Sequence, residues 1–310
     1  MGPTTARAVR FDRYGGVDVL QVVDIPVPVP GEGEVLVEVR AAGINPGEIA
    51  IREGAMHERF SSTFPSGQGS DLAGTVVGVG SGVTGFTVGD DVLGYSWERS
   101  SQATHVTVPV GQLIPKPPQL DWDVAGALYV VGCTAYAAVR AVSPQPGETV
   151  AVSAAAGGVG SVVVQLLRRL DVHVLGIASP TNDAWLTAHR VTPVHYGDGL
   201  VGQLTAAAPD GIDAFIDLHG PEYVQLAADL GVPHDRIETI IAFAKAEELG
   251  TRADGSGTAS TPEVLTEMAA LVASGEVEIP IAARFPLDRV QEAFVQLGKR
   301  HTRGKIVLIP

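Results

Sequence analysis

Thr149-Val150-Ala151-Val152-Ser153-Ala154-Ala155-Ala156-Gly157-Gly158-Val159-Gly160, continued by Ser161-Val162-Val163-Val164-Gln165-Leu166-Leu167, decides how this chain folds. An apolar strand enters a turn built of small residues and leaves it as an apolar helix. In a dinucleotide site the middle glycine of such a turn lets the backbone approach a pyrophosphate and the last lets helix pack on strand. Gly157 and Gly160 stand at those two places. Backbone amides at the helix start, with the helix dipole behind them, then hold a diphosphate without a cationic side chain. Ala155 occupies the place of the first glycine, so the fingerprint is incomplete, and a turn that merely packs a helix is the competing reading.

The remainder of the chain favours the nucleotide. Strands are expected at 149–153, 173–177, 192–195, 213–217 and 236–241, with helices at 159–170, 183–190, 199–207, 222–230 and 262–274. Such alternation signals βαβ units, hence an α/β Rossmann domain with a doubly wound parallel sheet. The first third reads instead as short β segments at 6–11, 20–23, 34–42, 72–79, 91–95 and 103–109, which argues for a barrel or sandwich. Pro26, Pro28 and Pro30 mark a connector that is neither helix nor central strand. Residues 251–260 read as a loop or weak edge strand, and a last strand at 305–309, ending at Pro310, is expected to return to the β-rich part as a sheet edge. The implied division is a β-rich substrate domain of residues 1–119 and 258–310 around a dinucleotide-binding domain of residues 120–257.

Composition fits two globular domains. The 310 residues exceed the roughly 250–300 at which one core stops growing. The apolar stretch 124–139 is broken by Gly126, Gly132 and Thr134, which makes it a buried helix rather than a membrane span. No secretion signal opens the chain, so the cytoplasm is the expected compartment. A net charge of −14 argues against nucleic acid and acidic membranes as partners and leaves small molecules. Cys133 is the only cysteine, which excludes an intramolecular disulfide and a zinc site of several thiolates. Inside an apolar helix it reads as a small hydrophobe.

An acid that grips the adenosine ribose of NAD belongs at the end of the second strand, about 20 residues after the turn. This chain has Gly176-Ile177-Ala178-Ser179-Pro180 there. Without a carboxylate to repel it, a 2′-phosphate is accommodated, and Ser179 and Asn182 are candidate donors to it; NADPH is the expected cofactor. Ser179 as a helix cap is the alternative.

These features resemble, over nearly the whole chain, the quinone oxidoreductase (zeta-crystallin-like) branch of the medium-chain dehydrogenase/reductase superfamily. The resemblance is carried by Ala42-Gly43-Ile44-Asn45-Pro46, Gly69-Ser70-Asp71-Leu72-Ala73-Gly74, Val88-Gly89-Asp90-Asp91-Val92, Thr134-Ala135-Tyr136, the glycine turn and Arg303-Gly304-Lys305-Ile306-Val307-Leu308, in that order. It implies a GroES-like substrate domain beside the Rossmann domain, and a homodimer formed by pairing sheet edges of two cofactor domains. Zinc-using relatives place a cysteine near position 45 and a Gly-His-Glu motif near 69–71; Asn45 and Gly69-Ser70-Asp71 stand there, so no metal is expected. The resemblance implies Asn45 and Thr134 at the nicotinamide, Gly157, Gly158 and Val159 at the diphosphate with Ala156 also binding the cofactor, and Ser179 and Asn182 at the ribose phosphate. His195 and Tyr196 fall beside the adenosine, Leu218 is a further cofactor-binding residue, and Arg303, Gly304 and Lys305 close the site; a plain surface charge is the other reading of Lys305. Ile49 stands where relatives carry an aromatic pocket residue, and Tyr95, Trp97 and Tyr129 are placed to frame a planar substrate, with core packing as the alternative.

Hydride comes from the cofactor, so the protein has only to position an acceptor and stabilise charge on its oxygen. Asn45 is the expected donor at the reacting centre, with water or Tyr129 delivering the proton. The expected activity is NADPH-dependent, zinc-free reduction of a quinone or α,β-unsaturated carbonyl. Reduction of an enoyl thioester, or NADPH binding without catalysis, are the alternatives.

Overall fold

The computed structural model describes residues 4–310, which divide into two compact units. One holds the chain up to Val130 with Thr261–Ser274 and Ile279–Pro310; the other holds Val131–Ser260 with Gly275–Glu278. The divisions fall at 130/131 and 260/261 rather than at 119/120 and 257/258. Residues 275–278 join the second unit because the Gln165 side chain pairs with the Glu278 backbone in both directions, at 2.9 Å each.

The first unit opens with β1 (Thr5–Phe11), β2 (Gln21–Pro26), β3 (Glu34–Gly43), α1 (Pro46–Arg52), β4 (Ser66–Gly67), β5 (Asp71–Val79), β6 (Asp91–Tyr95), β7 (His105–Pro109) and β8 (Leu113–Pro115). Pro26 is tolerated in β2 because that strand pairs with β1 alone and is an edge. The helix α1 was not anticipated, although Asn45-Pro46-Gly47-Glu48 carries its start signal. Proline stands at the first helical position, and Glu48 three residues after the Asn45 cap reaches back to the Asn45 amide at 3.2 Å.

The apolar stretch expected as one helix is two, α2 (Trp122–Ala125) and α3 (Leu128–Val142). The break lies where Gly126 runs against β3. Its carbonyl accepts from Gly43 at 2.7 Å, and a Cβ on Gly126 would stand 2.4 Å from the Ala41 oxygen. Cys133 is fully buried in α3.

The second unit continues with β9 (Thr149–Val152), α4 (Gly158–Arg169), β10 (His173–Ala178), α5 (Asp183–Ala188), β11 (Thr192–His195), α6 (Leu200–Ala207), β12 (Ala214–Asp217), α7 (Pro221–Asp229), β13 (Ile237–Thr239) and α8 (Phe243–Leu249). Its five strands are all parallel in the order β11-β10-β9-β12-β13, the doubly wound Rossmann arrangement. Leu175, Ile177, Phe215, Leu204 and Val224 are among the buried residues of its core. After α8, which the sequence reading missed, the loop expected at 251–260 holds only a bridge from Arg252 to Glu238 and a short turn of 3-10 helix.

The chain returns to the first unit with α9 (Pro262–Ala273), β14 (Ile281–Pro286), α10 (Val290–Gly298) and β15 (Lys305–Ile309). The larger sheet there runs β14-β15-β3-β5-β6-β8, with β7 also on β3. Thus β15 is not the edge it was expected to be. The unanticipated β14, alternately half-buried and exposed and ending at Pro286, takes the edge and covers it. No helix among the described residues is long and apolar enough to cross a membrane.

Candidate active site

In the second unit the strand order reverses direction at β9, between its neighbours β10 and β12, and the glycine turn leaves the carboxyl end of β9 at that point. In open α/β sheets this switch point is where ligands bind. Helix α4 starts at Gly158 after the extended Gly157, so its first amides have no partner within the helix. The turn is tight. A Cβ on Gly160 would stand 2.2 Å from the Ala154 oxygen, and Ala154 itself has φ of +47°. Ala156 is buried, while Gly157, Gly158 and Val159 are half-buried.

The other sequence-predicted cofactor residues of this unit stand at the same end of the sheet, after parallel strands. Ser179 follows β10, Tyr196 follows β11 and is 49% exposed, and Leu218 follows β12. Asn182 closes the short 3-10 helix after Ser179. The Ser179 hydroxyl accepts from the Thr181 amide at 3.3 Å and lies 2.6 Å from the Thr181 hydroxyl, so the capping role is present. Asp183, which follows Asn182 at the start of α5, is engaged by His195 Nε2 at 3.0 and 3.1 Å. Thr134 is buried in α3.

Two residues that the sequence reading passed over fix this end. Asp217, wholly buried at the end of β12, accepts from the Ser153 hydroxyl at 2.7 Å, the Thr239 hydroxyl at 2.7 Å and the amides of His219 and Gly220. Burial raises its carboxyl above the ordinary range despite those donors. Ser153 in turn accepts from the Leu218 amide at 2.8 Å. The ends of β9, β12 and β13 are thereby pinned through one carboxylate.

The first unit carries a second polar cluster, buried around Asn45. Its Nδ2 donates to Asp71 Oδ2 at 2.9 Å and to Glu48 Oε1 at 3.2 Å, while its Oδ1 accepts from Lys305 Nζ at 2.5 Å. Both amide hydrogens are engaged inside the unit. Lys305 is not a surface charge. It is 3% exposed, and its ammonium also donates to Asp71 Oδ2 at 3.0 Å and to the Ile44 carbonyl at 3.1 Å. Arg303, two residues earlier, is exposed.

Glu48 accepts from Asn45, the Ser70 amide and Gln102. Burial nevertheless pushes its carboxyl up to about 7, with the nearby Asp71 acting in the same direction. Asp71 Oδ1 accepts from the Val130 amide in the first turn of α3 at 2.7 Å. Next to Val130, Tyr129 stacks on Tyr95 with ring centres 4.1 Å apart and planes 14° apart, and Trp97 meets Tyr95 edge-on at 5.6 Å. Tyr129 and Tyr95 are buried, whereas Trp97 is 49% exposed. Ile49 packs against the apolar cluster of Phe11, Leu20 and Phe294.

Two protein families match the chain. Alcohol dehydrogenase GroES-like domains match residues 31–141, and a family described as zinc-binding dehydrogenase matches residues 186–308. Quinone oxidoreductase of Pseudomonas aeruginosa is 30% identical over 98% of this chain and 100% of its own length. The structure of the quinone oxidoreductase from Coxiella burnetii is similar with a TM-score of 0.89 at 28% identity, covering 99% of each chain. Escherichia coli quinone oxidoreductase, solved in complex with NADPH, has a TM-score of 0.88 at 26% identity, covering 98% of this chain and all of the other. With its GroES-like and Rossmann units, this chain belongs to the quinone oxidoreductase branch of the medium-chain dehydrogenase/reductase superfamily.

Proposed function

We propose that this chain uses NADPH to reduce a quinone or an α,β-unsaturated carbonyl, without zinc. The observation that carries the reading is the glycine turn at the switch point of the parallel sheet, joined to a β10 end that offers Ser179 and no carboxylate. The cradle fits the cofactor: small residues line it, and a Cβ on Gly157 would stand 3.2 Å from the Ala154 oxygen. The relative from Escherichia coli that was solved with NADPH supports the same choice.

NADPH, when bound, supplies the hydride. In this reading the amides of Gly158 and Val159 hold the diphosphate, with Ala156 and Gly157 shaping the approach, and Thr134 stands at the nicotinamide end. Ser179 and Asn182 hold the 2′-phosphate, while Tyr196 and Leu218 flank the adenosine. Asp183, being engaged by His195, repels that phosphate less than a free carboxylate would. Tyr95 and Trp97 align a planar acceptor, and Tyr129 or water returns the proton to its reduced oxygen or carbon. Asn45 serves by orienting Asp71, to which it donates, and Lys305, from which it accepts.

Zinc independence is supported by the donor chemistry at the relevant positions. Asn45 offers an amide oxygen, and of the two carboxyls beside it Asp71 is already paired with an ammonium and Glu48 is taken up by Asn45, Ser70 and Gln102. A homodimer built through an outer strand of the Rossmann sheet is the assembly we favour, with β11 and β13 as its edges.

The test is a set of NADPH oxidation assays against quinones, enones and enoyl thioesters. Turnover with quinones or enones that survives prolonged chelation is expected; turnover confined to enoyl thioesters, or none at all, would replace the reading with one of its alternatives.

A further inference from the structure

One of the two matching families is described as zinc-binding dehydrogenase, yet the buried cluster of the first unit does not suit zinc. The atoms that converge there are the Ile44 carbonyl, Asn45 Oδ1 and Asp71 Oδ2, at 3.1, 2.5 and 3.0 Å from Lys305 Nζ. All are hard oxygens, with no thiolate or imidazole among them. The cation they hold is the ammonium itself. It has three N–H bonds and meets three acceptors, so none remains for a ligand or for proton delivery. With Lys305 at 3% and Asp71 at 0% exposure, water does not substitute for these contacts.

The geometry points to Lys305 as a built-in cation that stands in for a metal and acts as a positioning residue. It fixes Asp71, and Asp71 fixes the first turn of α3 through the Val130 amide, one residue from Tyr129. Four stretches distant in sequence, at Ile44–Asn45, Asp71, Val130 and Lys305, are tied at this one charge. A buried carboxylate without a counter-charge is unfavourable; the ammonium supplies that charge beside Asp71, whose two oxygens accept from Asn45, Val130 and Lys305. The kinetic consequence rests on the proposed reduction; the cation role does not.

Calorimetry with zinc and manganese chlorides on the metal-free full-length chain tests the role directly. The unmodified protein is expected to bind neither stoichiometrically, and Lys305→Ala, which leaves the oxygens and removes the cation, to take up one ion per chain. Lys305→Met with Asp71→Asn removes both charges, so that neither is buried unpaired. This double variant is expected to fold and to bind NADPH like the unmodified chain, yet to turn over roughly a hundredfold more slowly at unchanged KM, the scale of a misplaced reacting group. Ethylammonium is expected to restore turnover to Lys305→Ala and not to the double variant. Stoichiometric zinc on the unmodified chain, a folded Lys305→Ala that takes no cation, or full turnover in the double variant each overturns the assignment. If the unmodified chain reduces no quinone or enone, the proposed function fails while the metal titration still decides the role of Lys305.

Discussion

Gly160 shows how little room this site leaves at a single residue. A methyl group there would stand 2.2 Å from the Ala154 oxygen and 2.9 Å from the Ala155 backbone, both of them main chain that cannot swing aside. Gly160→Ala is therefore expected to destabilise the second unit by about 1–3 kcal/mol, as overpacking does, and to weaken NADPH binding. Urea unfolding and calorimetry check this, and an unchanged midpoint with unchanged affinity would contradict the geometry. Asn45 is constrained by partners rather than by space. Asn45→Ala deprives Asp71 and Lys305 of one partner each, so a loss of roughly 1–3 kcal/mol with reduced turnover is expected. A variant of native stability and full kcat would contradict its orienting role.

At the scale of the elements, β13 carries a buried carboxyl that makes stability depend on pH. Glu238 Oε1 accepts from the Asp254 amide at 2.7 Å, whereas Oε2 is buried with no hydrogen-bond partner among the described residues. Burial pushes this carboxyl from 4.5 up to about 9. The folded chain then keeps a proton that the unfolded chain has released, so the stabilisation is complete below 4.5 and is lost as pH rises towards about 9. Glu48 acts with the same sign, over the window from 4.5 to about 7. The melting temperature is expected to fall from neutral to alkaline pH, and Glu238→Gln to flatten that fall by on the order of 2–3 kcal/mol. Parallel curves for the two proteins would show that Glu238 is not the titrating group.

Elements also differ in how far the sequence announces them. The Rossmann strands and the glycine turn were legible because each depends on local pattern: an apolar run, small residues, then a helical period. The start of α1 was equally local and was missed although Asn45 and Glu48 spell it. The break at Gly126 and the inner place of β15 were not legible, since both depend on partners distant in the chain, Ala41 and Gly43 in one case and β14 in the other. The same holds for the site. The residues Ala156–Val159, Ser179 and Leu218 follow strand ends and could be placed by order alone. The destination of the Lys305 ammonium could not, because nothing near position 305 indicates Ile44, Asn45 or Asp71.

For the whole molecule, the start of α4 after β9 presents main-chain amides without partners in the helix, in a chain whose net charge is −14. In the proposed function, binding depends on aligned backbone donors and on the helix dipole of α4. Titrating NADPH and NADH into the unmodified chain by calorimetry, with Gly160→Ala alongside, measures this directly. One NADPH bound per chain, bound more tightly than NADH and lost or weakened in the variant, is the predicted result. Absence of heat with either nucleotide, or equal affinity in the variant, would contradict the account.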